Sequence, residues 1–178
     1  MKYIIGLGNP SKEYKNTRHN IGQDLVFALE KALSPEALSL SKTKLITLPG
    51  YINESGMALK KICKNIKPDS ENQNVLVIHD DLDQTIGKMK MSYGGNSGGH
   101  NGINSIFSHL KTKNYYRLKI GISPEVKKDK SEVHDFVLGK FSKEESALIK
   151  GLMPKMKESL GYFMERDLGK AVETANRK

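Results

Sequence analysis

The run Val75-Leu76-Val77-Ile78 constrains this chain most: four consecutive apolar residues, three of them β-branched, with polar neighbours on either side. It is too short for a helix and lacks the alternation of a half-wet strand, so it predicts a strand buried on both faces. A strand covered on both faces needs helices above and below it, which sets the class at once. The flanking sequence supplies them. Tyr3-Ile4-Ile5 forms a short apolar run ending at Gly6, and Lys44-Leu45-Ile46-Thr47-Leu48 is a second strand candidate. Between them Ile21, Leu25, Phe27, Ala28, Leu29, Ala32 and Leu33 recur at helical spacing. Ser34-Pro35 ends that helix, because proline disfavours helical geometry in the residue before it. Met57, Ala58, Leu59, Ile62 and Ile66 read as another helix, closed by Lys67-Pro68.

Downstream of the central run, Lys88-Met89-Lys90-Met91 alternates as an edge or half-exposed strand would, and leads into the glycine-rich stretch Gly94 to Gly99. Ile103, Ile106, Phe107 and Leu110 make the next helix. Tyr116-Arg117-Leu118-Lys119-Ile120-Gly121-Ile122 alternates apolar and basic residues, which predicts a strand with one wet face. Ser142 and Glu145 have capping-box spacing for a C-terminal helix carrying Leu148, Ile149 and Leu152. Met153-Pro154 should kink that helix before Met156, Leu160 and Phe163 resume its stripe, with a last short helix from Asp167 onward. The expectation is one α/β domain over residues 1–178, a central mixed sheet flanked by helices, with no internal repeat and no linker.

Charge and cysteine usage narrow the function classes. Lysines and arginines number 29 against 20 acidic residues, a net charge of +9, which favours a polyanionic partner because each neutralised phosphate releases condensed counterions. A solvated basic surface with no partner is the plainer reading. Cys63 is the lone cysteine, so no intrachain disulfide can form and a reducing, cytoplasmic compartment fits, or an organellar matrix if a transit peptide has been removed. No apolar run approaches the ~18 to 20 residues that span a bilayer, and Asn9-Pro10-Ser11 interrupts the opening run at once, so Met1 to Gly8 reads as a first strand rather than a signal sequence.

Four segments carry chemistry, and each has a plainer alternative. Gly6-Leu7-Gly8-Asn9-Pro10-Ser11 follows a strand like the start of a dinucleotide fingerprint, but Ser11 stands at its third glycine and Glu30 sits within a helix; a tight turn explains the glycines equally well. His19, in Thr17-Arg18-His19-Asn20, precedes a helix and is a base by residue type or merely a helix-start residue. His79-Asp80-Asp81-Leu82-Asp83 lies at the carboxyl end of the central strand, where α/β sheets gather ligands. It could hold a metal, yet no His-Glu-x-x-His or Cys/His pairing accompanies it, and acidic turns after strands are common. Gly98-Gly99-His100-Asn101-Gly102 lets a substrate approach the backbone before a helix start, or is simply a loop capped by Asn101 or Asn104.

Taken together these segments resemble the bacterial-type peptidyl-tRNA hydrolase family along nearly the whole chain. The family's Gly-Leu-x-Asn-Pro-Gly, tyrosine and Thr-Arg-His-Asn pattern is matched from Gly6 to Asn20, and its Phe-Met-Asn-x-Ser-Gly by Tyr51-Ile52-Asn53-Glu54-Ser55-Gly56. Its His-Asp-Glu/Asp-Leu-Asp and Gly-Gly-His-Asn-Gly appear as His79 to Asp83 and Gly98 to Gly102. Ser11 replaces a glycine, Tyr51-Ile52 replace Phe-Met, and Ser92 stands where members often carry lysine. The resemblance implies a monomeric α/β globule that hydrolyses the ester joining a peptide to the 3′ end of tRNA, with no metal or cofactor. It implies His19 as the base and Asp80 as the carboxylate on its far nitrogen, with the Asn53 and Asn101 amides donating to substrate carbonyls. Asn9 would sense the peptide linkage, Tyr14 and Tyr51 would supply aromatic surface near the tRNA terminus and peptide, and His100 would join Asn101 in binding the substrate. Comparable family positions make Lys90, Arg117 and Lys119 grips for tRNA phosphate, with Lys127, Lys128 and Lys130 as a further basic cluster. Two rivals remain: a catalytically silent RNA-binding relative, against which the retention of His19 and Asp80 argues, and a nicotinamide-dependent oxidoreductase built on the first glycine turn.

Overall fold

The computed structural model describes residues 1–63, 72–124 and 133–178. The Lys67-Pro68 helix stop, Ile66 and the Lys127, Lys128 and Lys130 cluster lie outside the described residues. A five-stranded mixed sheet runs β2-β1-β3-β5-β4, built from β1 (Lys2–Gly6), β2 (Thr43–Thr47), β3 (Asn72–Thr85), β4 (Met89–Tyr93) and β5 (Tyr115–Ser123). β1, β2, β3 and β5 are mutually parallel, and β4 adds antiparallel to β5 at the edge.

The central run is buried as its composition demands, with Val75, Leu76, Val77 and Ile78 each without accessible surface. Alternate residues feed two cores. Ile4, Leu76, Ile78, Leu118 and Ile120 pack against α1 (Ile21–Ala32), α7 (Met153–Glu165) and α8 (Leu168–Asn176). Tyr3, Ile5, Val75, Val77 and Tyr115 pack against α3 (Ser55–Ile62) and α4 (Asn101–Leu110). Helices on both faces of a mostly parallel sheet are the expected α/β class. The edge strand is blunted rather than left open: the Asn176 side chain accepts from Met91 N at 2.7 Å and donates to Met91 O at 3.1 Å.

Three expectations need correction, and a fourth, the Ser34-Pro35 stop, holds but does more than expected. β3 does not stop at Ile78 but runs for 14 residues, so His79 to Asp83 are strand rather than turn. β1 ends opposite Ile78, and from there β3 continues alongside β5 alone. Ser34-Pro35 does close α1, yet the same pair opens α2 (Pro35–Leu40): Ser34 Oγ accepts from Ala37 N at 3.1 Å, with proline in the first turn where its missing N–H is harmless. Met153-Pro154 separates α6 (Lys143–Gly151) from α7 rather than kinking one helix, while the Ser142–Glu145 capping box forms as its spacing requires. The alternation of β5 does not give a wet face, since Arg117 is only 2% exposed and Lys119 is half-buried. The loop from Gly94 to Gly99 folds over that face. Among the described residues no helix is long and apolar enough to cross a membrane.

Candidate active site

The site forms at the carboxyl edge of the sheet, where the chain leaves β1 and β3 outruns it. Two glycines let the backbones close there. A Cβ on Gly22 would stand 2.2 Å from Ile78 O, and one on Gly6 would stand 2.3 Å from Gly22 O. With both absent, Leu7 N donates to Ile78 O at 3.0 Å and Gln23 N to Leu7 O at 2.9 Å, so the start of α1 rests on the ends of β1 and β3. The 3₁₀ turn Arg18–Asn20 immediately precedes it and carries His19 to the sheet.

Arg18 holds that turn from the other side. Its Nη2 donates to both Glu145 oxygens at 2.9 and 2.7 Å, Nη1 donates to Lys140 O at 3.0 Å, and the guanidinium lies 4.3 Å from the Phe136 ring centre. His19 is therefore placed by packing on one side and a bidentate ion pair on the other, and is buried. Its Nδ1 lies 3.0 Å from each oxygen of Asp80.

Asp80 is shared. His100 Nε2 lies 2.9 Å from Asp80 Oδ1, and His100 Nδ1 receives the backbone N–H groups of Gly102 and Ile103 at 3.1 and 3.3 Å. Because a backbone N–H can only donate, His100 Nδ1 must be bare and Nε2 must carry the proton that it gives to Asp80. The cap of α4 is thus His100, not Asn101 or Asn104 as expected. Burial alone would raise the Asp80 carboxyl, but His100 and His19, through charge and hydrogen bonds, hold it well below the ordinary carboxylate range. An ionised Asp80 only accepts, so His19 Nδ1 carries a proton, and no described residue hydrogen-bonds to Nε2. His79 completes the cluster: its Nδ1 donates to Asp80 O at 2.6 Å, its ring meets His100 edge-on at 4.8 Å, and burial with His100 alongside pushes it down to about 3.

Asn9 is fixed with equal economy. Its Oδ1 accepts from Ile52 N at 2.9 Å, and Asn20 brackets its backbone, Oδ1 accepting from Asn9 N at 2.8 Å and Nδ2 donating to Asn9 O at 3.0 Å. The Asn9 amide is thereby oriented without ambiguity, with Nδ2 left to donate elsewhere. Ile52 belongs to the 3₁₀ turn Ile52–Glu54, so the same bond ties the exposed Asn53 to the site, and Asn101 follows His100 at the start of α4. Tyr14 and Tyr51 meet edge-to-face at 6.3 Å.

Of the expected phosphate grips, Lys90 and Lys119 face each other across β4 and β5, Lys90 exposed and Lys119 Nζ 3.6 Å from Asp81 Oδ2. Arg117 is turned inward instead: Nη1 donates to Asn96 O at 2.7 Å and Nη2 to Gly94 O. It anchors the glycine-rich loop and offers no guanidinium to solvent. Sequence reading missed Asn20, although it sits beside His19 in the same motif, and missed the second hydrogen bond to Asp80, the one from His100.

His19, Asp80 and His100 offer ligand atoms within 4.8 Å of one another, the spacing of a metal site. The hydrogen bonds assign those atoms otherwise. His100 would need a bare Nε2 to bind a cation, which would put a proton on Nδ1 against the Gly102 and Ile103 N–H groups. Fold and site together define an α/β protein with a buried imidazole–carboxylate couple of the kind that activates water or a hydroxyl. The peptidyl-tRNA hydrolase family model matches residues 3–178, and the chain belongs to that family. A peptidyl-tRNA hydrolase of Sulfurihydrogenibium sp. is 37% identical over 191 residues, covering 99% of this chain and 98% of its own. That of Aquifex aeolicus is 37% identical, covering 100% and 97%. The crystal structure of peptidyl-tRNA hydrolase from Acinetobacter baumannii superposes with a TM-score of 0.86 at 29% identity, covering 99% of this chain and 95% of that one.

Proposed function

We propose that the chain hydrolyses the ester between a peptide, or an N-blocked amino acid, and the 3′-terminal ribose of tRNA, releasing both for reuse. One observation carries the mechanism: Asp80 takes an N–H from His19 Nδ1, which leaves His19 Nε2 as a bare, supported base. Nε2 removes a proton from water as the oxygen attacks the ester carbonyl, and Asp80 stabilises the imidazolium that forms. The same proton then passes to the departing ribose oxygen, so the histidine ends as it began. His100 acts as a positioning residue, since its Nε2–H fixes Asp80 Oδ1 while its other nitrogen pins α4.

The amides of Asn53 and Asn101 donate to substrate carbonyls without titrating. Asn9 Nδ2, already oriented, reads the peptide linkage and separates blocked from free aminoacyl esters. Tyr14 and Tyr51 line the approach. Lys90 and Lys119 sit directly opposite on an antiparallel pair; Asp81 partly offsets Lys119, and the exposed Lys90 beside it is placed to meet a tRNA phosphate.

The test is incubation of the full chain with N-acetyl-aminoacyl-tRNA in the presence of a chelator, following release of the acetylated amino acid. Turnover that persists with chelator is expected. Binding of the substrate without release would reduce the protein to an RNA-binding relative, and release abolished by chelator would move the chemistry to a metal.

A further inference from the structure

At the amino edge of the sheet, opposite the imidazole cluster, three cations from three different elements converge on one groove. Lys2 opens β1, Lys42 ends the turn before β2, and Arg166 follows α7. The groove has two lobes of about 400 and 650 Å³ that share Lys2 and Arg166. Its walls carry Leu40, Met164 and Leu168. Among the described residues none of the three cations has a carboxylate within ion-pair distance, and Glu165, on the lining, reaches none of them.

Lys2 is the telling residue. It is 8% exposed, and its ammonium donates to Ser41 O at 2.8 Å with no anion beside it among the described residues. Lys2 lines both lobes of the groove, and with two further cations beside it an anion there is electrostatically favoured. Burial first, then Arg166 and Lys42, push its pKa down. Lys42 and Arg166 moreover hold left-handed backbone conformations, with φ of 53° and 68°, where glycine or asparagine would sit with less strain. The backbone pair from Lys2 N to Lys42 O at 2.8 Å locks two of the cations into one unit.

We propose that this groove binds the terminal phosphate of a small phosphorylated ligand, with Lys2, Lys42 and Arg166 supplying the charge. A terminal phosphate is favoured over an RNA backbone because Lys2 is only 8% exposed, so a small end group reaches it more readily than a bridging phosphate within a chain. The apolar walls suit the body of a nucleoside phosphate. The site is separate from the hydrolytic one, since the length of β1, on the order of 15 Å, lies between them.

Calorimetric titration of the full chain with inorganic pyrophosphate at low ionic strength tests this. Saturable binding is expected, weakened about tenfold in each of Lys42→Asn and Arg166→Asn and unchanged in Lys119→Ala. Asparagine tolerates the left-handed backbone, so both groove variants should fold, and both should hydrolyse N-acetyl-aminoacyl-tRNA at the parent rate. Adenosine monophosphate should compete with pyrophosphate, whereas a single-stranded RNA without terminal phosphate should not. No saturable binding, binding indifferent to both groove variants, or competition by the unphosphorylated RNA alone would overturn the proposal.

Discussion

Asp80 accepts from two imidazoles at once, and this one carboxylate orients both. His100 is committed at each nitrogen, whereas His19 is committed at Nδ1 only. The sequence made His19, Asp80 and Asn9 visible, because each stands in a compact motif at a strand or helix end. Asn20 was hidden: its partner is the backbone of Asn9, eleven positions away, and only the turn between them brings the two together. Within that turn Ser11 replaces a family glycine and adopts φ 87°, ψ 157°, a region that side chains rarely enter. Ser11 is exposed and makes no cap bond, so its side chain contributes nothing there to offset the strain. Ser11→Gly should therefore stabilise the fold by about 1 kcal/mol, the relieved strain less glycine's added freedom in the unfolded chain. Urea unfolding reads this as a raised midpoint at constant slope; a lowered midpoint would mean that the turn is not strained.

Among the elements, those with strong periodicity or an unbroken apolar run were legible, and those shaped by distant neighbours were not. The central strand, α1 and the Ser142 capping box follow from local sequence. β3 extends past Ile78 only because β5 lies alongside to pair with it, which no feature of His79 to Asp83 reveals. β5 misled more seriously. Its alternation of tyrosine or leucine with basic residues has the pattern of a half-wet strand, but the glycine-rich loop closes over the basic side. Gly94, Gly95, Gly98 and Gly99 all take positive φ, and Arg117 binds the loop's carbonyls from beneath. Replacing Arg117 with methionine keeps the volume and strands two acceptors, each of which costs roughly 1 to 3 kcal/mol if buried. A loss of at least about 2 kcal/mol is expected, with faster amide exchange from Gly94 to Gly99. A variant as stable as the parent, with exchange unaltered, would show that the loop holds itself.

For the whole molecule, composition and alternation were enough for a single α/β domain with a mixed sheet, while the strand order and the convergence of four motifs on one edge came from the fold. That convergence has an acid-stability consequence. His79 is pushed from an ordinary 6.5 to about 3, so between those values the unfolded chain binds a proton that the fold refuses. Stability is then full above pH 6.5 and falls as pH drops toward 3, on the order of 3 kcal/mol by pH 4. Asp80, lowered in the fold, adds to the loss only below the ordinary carboxylate range. Urea midpoints from pH 7 to pH 4 should decline steeply in the parent and less so in His79→Gln; equal slopes would assign the decline to other groups.

The central claim is that His19 and Asp80, sixty-one residues apart in sequence, act as one unit on water. The most direct measurement is hydrolysis of N-acetyl-aminoacyl-tRNA by the parent, His19→Ala, Asp80→Asn and the double variant, each checked for folding and tRNA affinity. Loss of the base should lower the rate by roughly 10²- to 10⁴-fold, Asp80→Asn should also lower it, and the double variant should be no slower than His19→Ala, because the carboxylate has nothing left to support. Near-parental hydrolysis by folded His19→Ala, or losses that multiply in the double variant, would contradict the account.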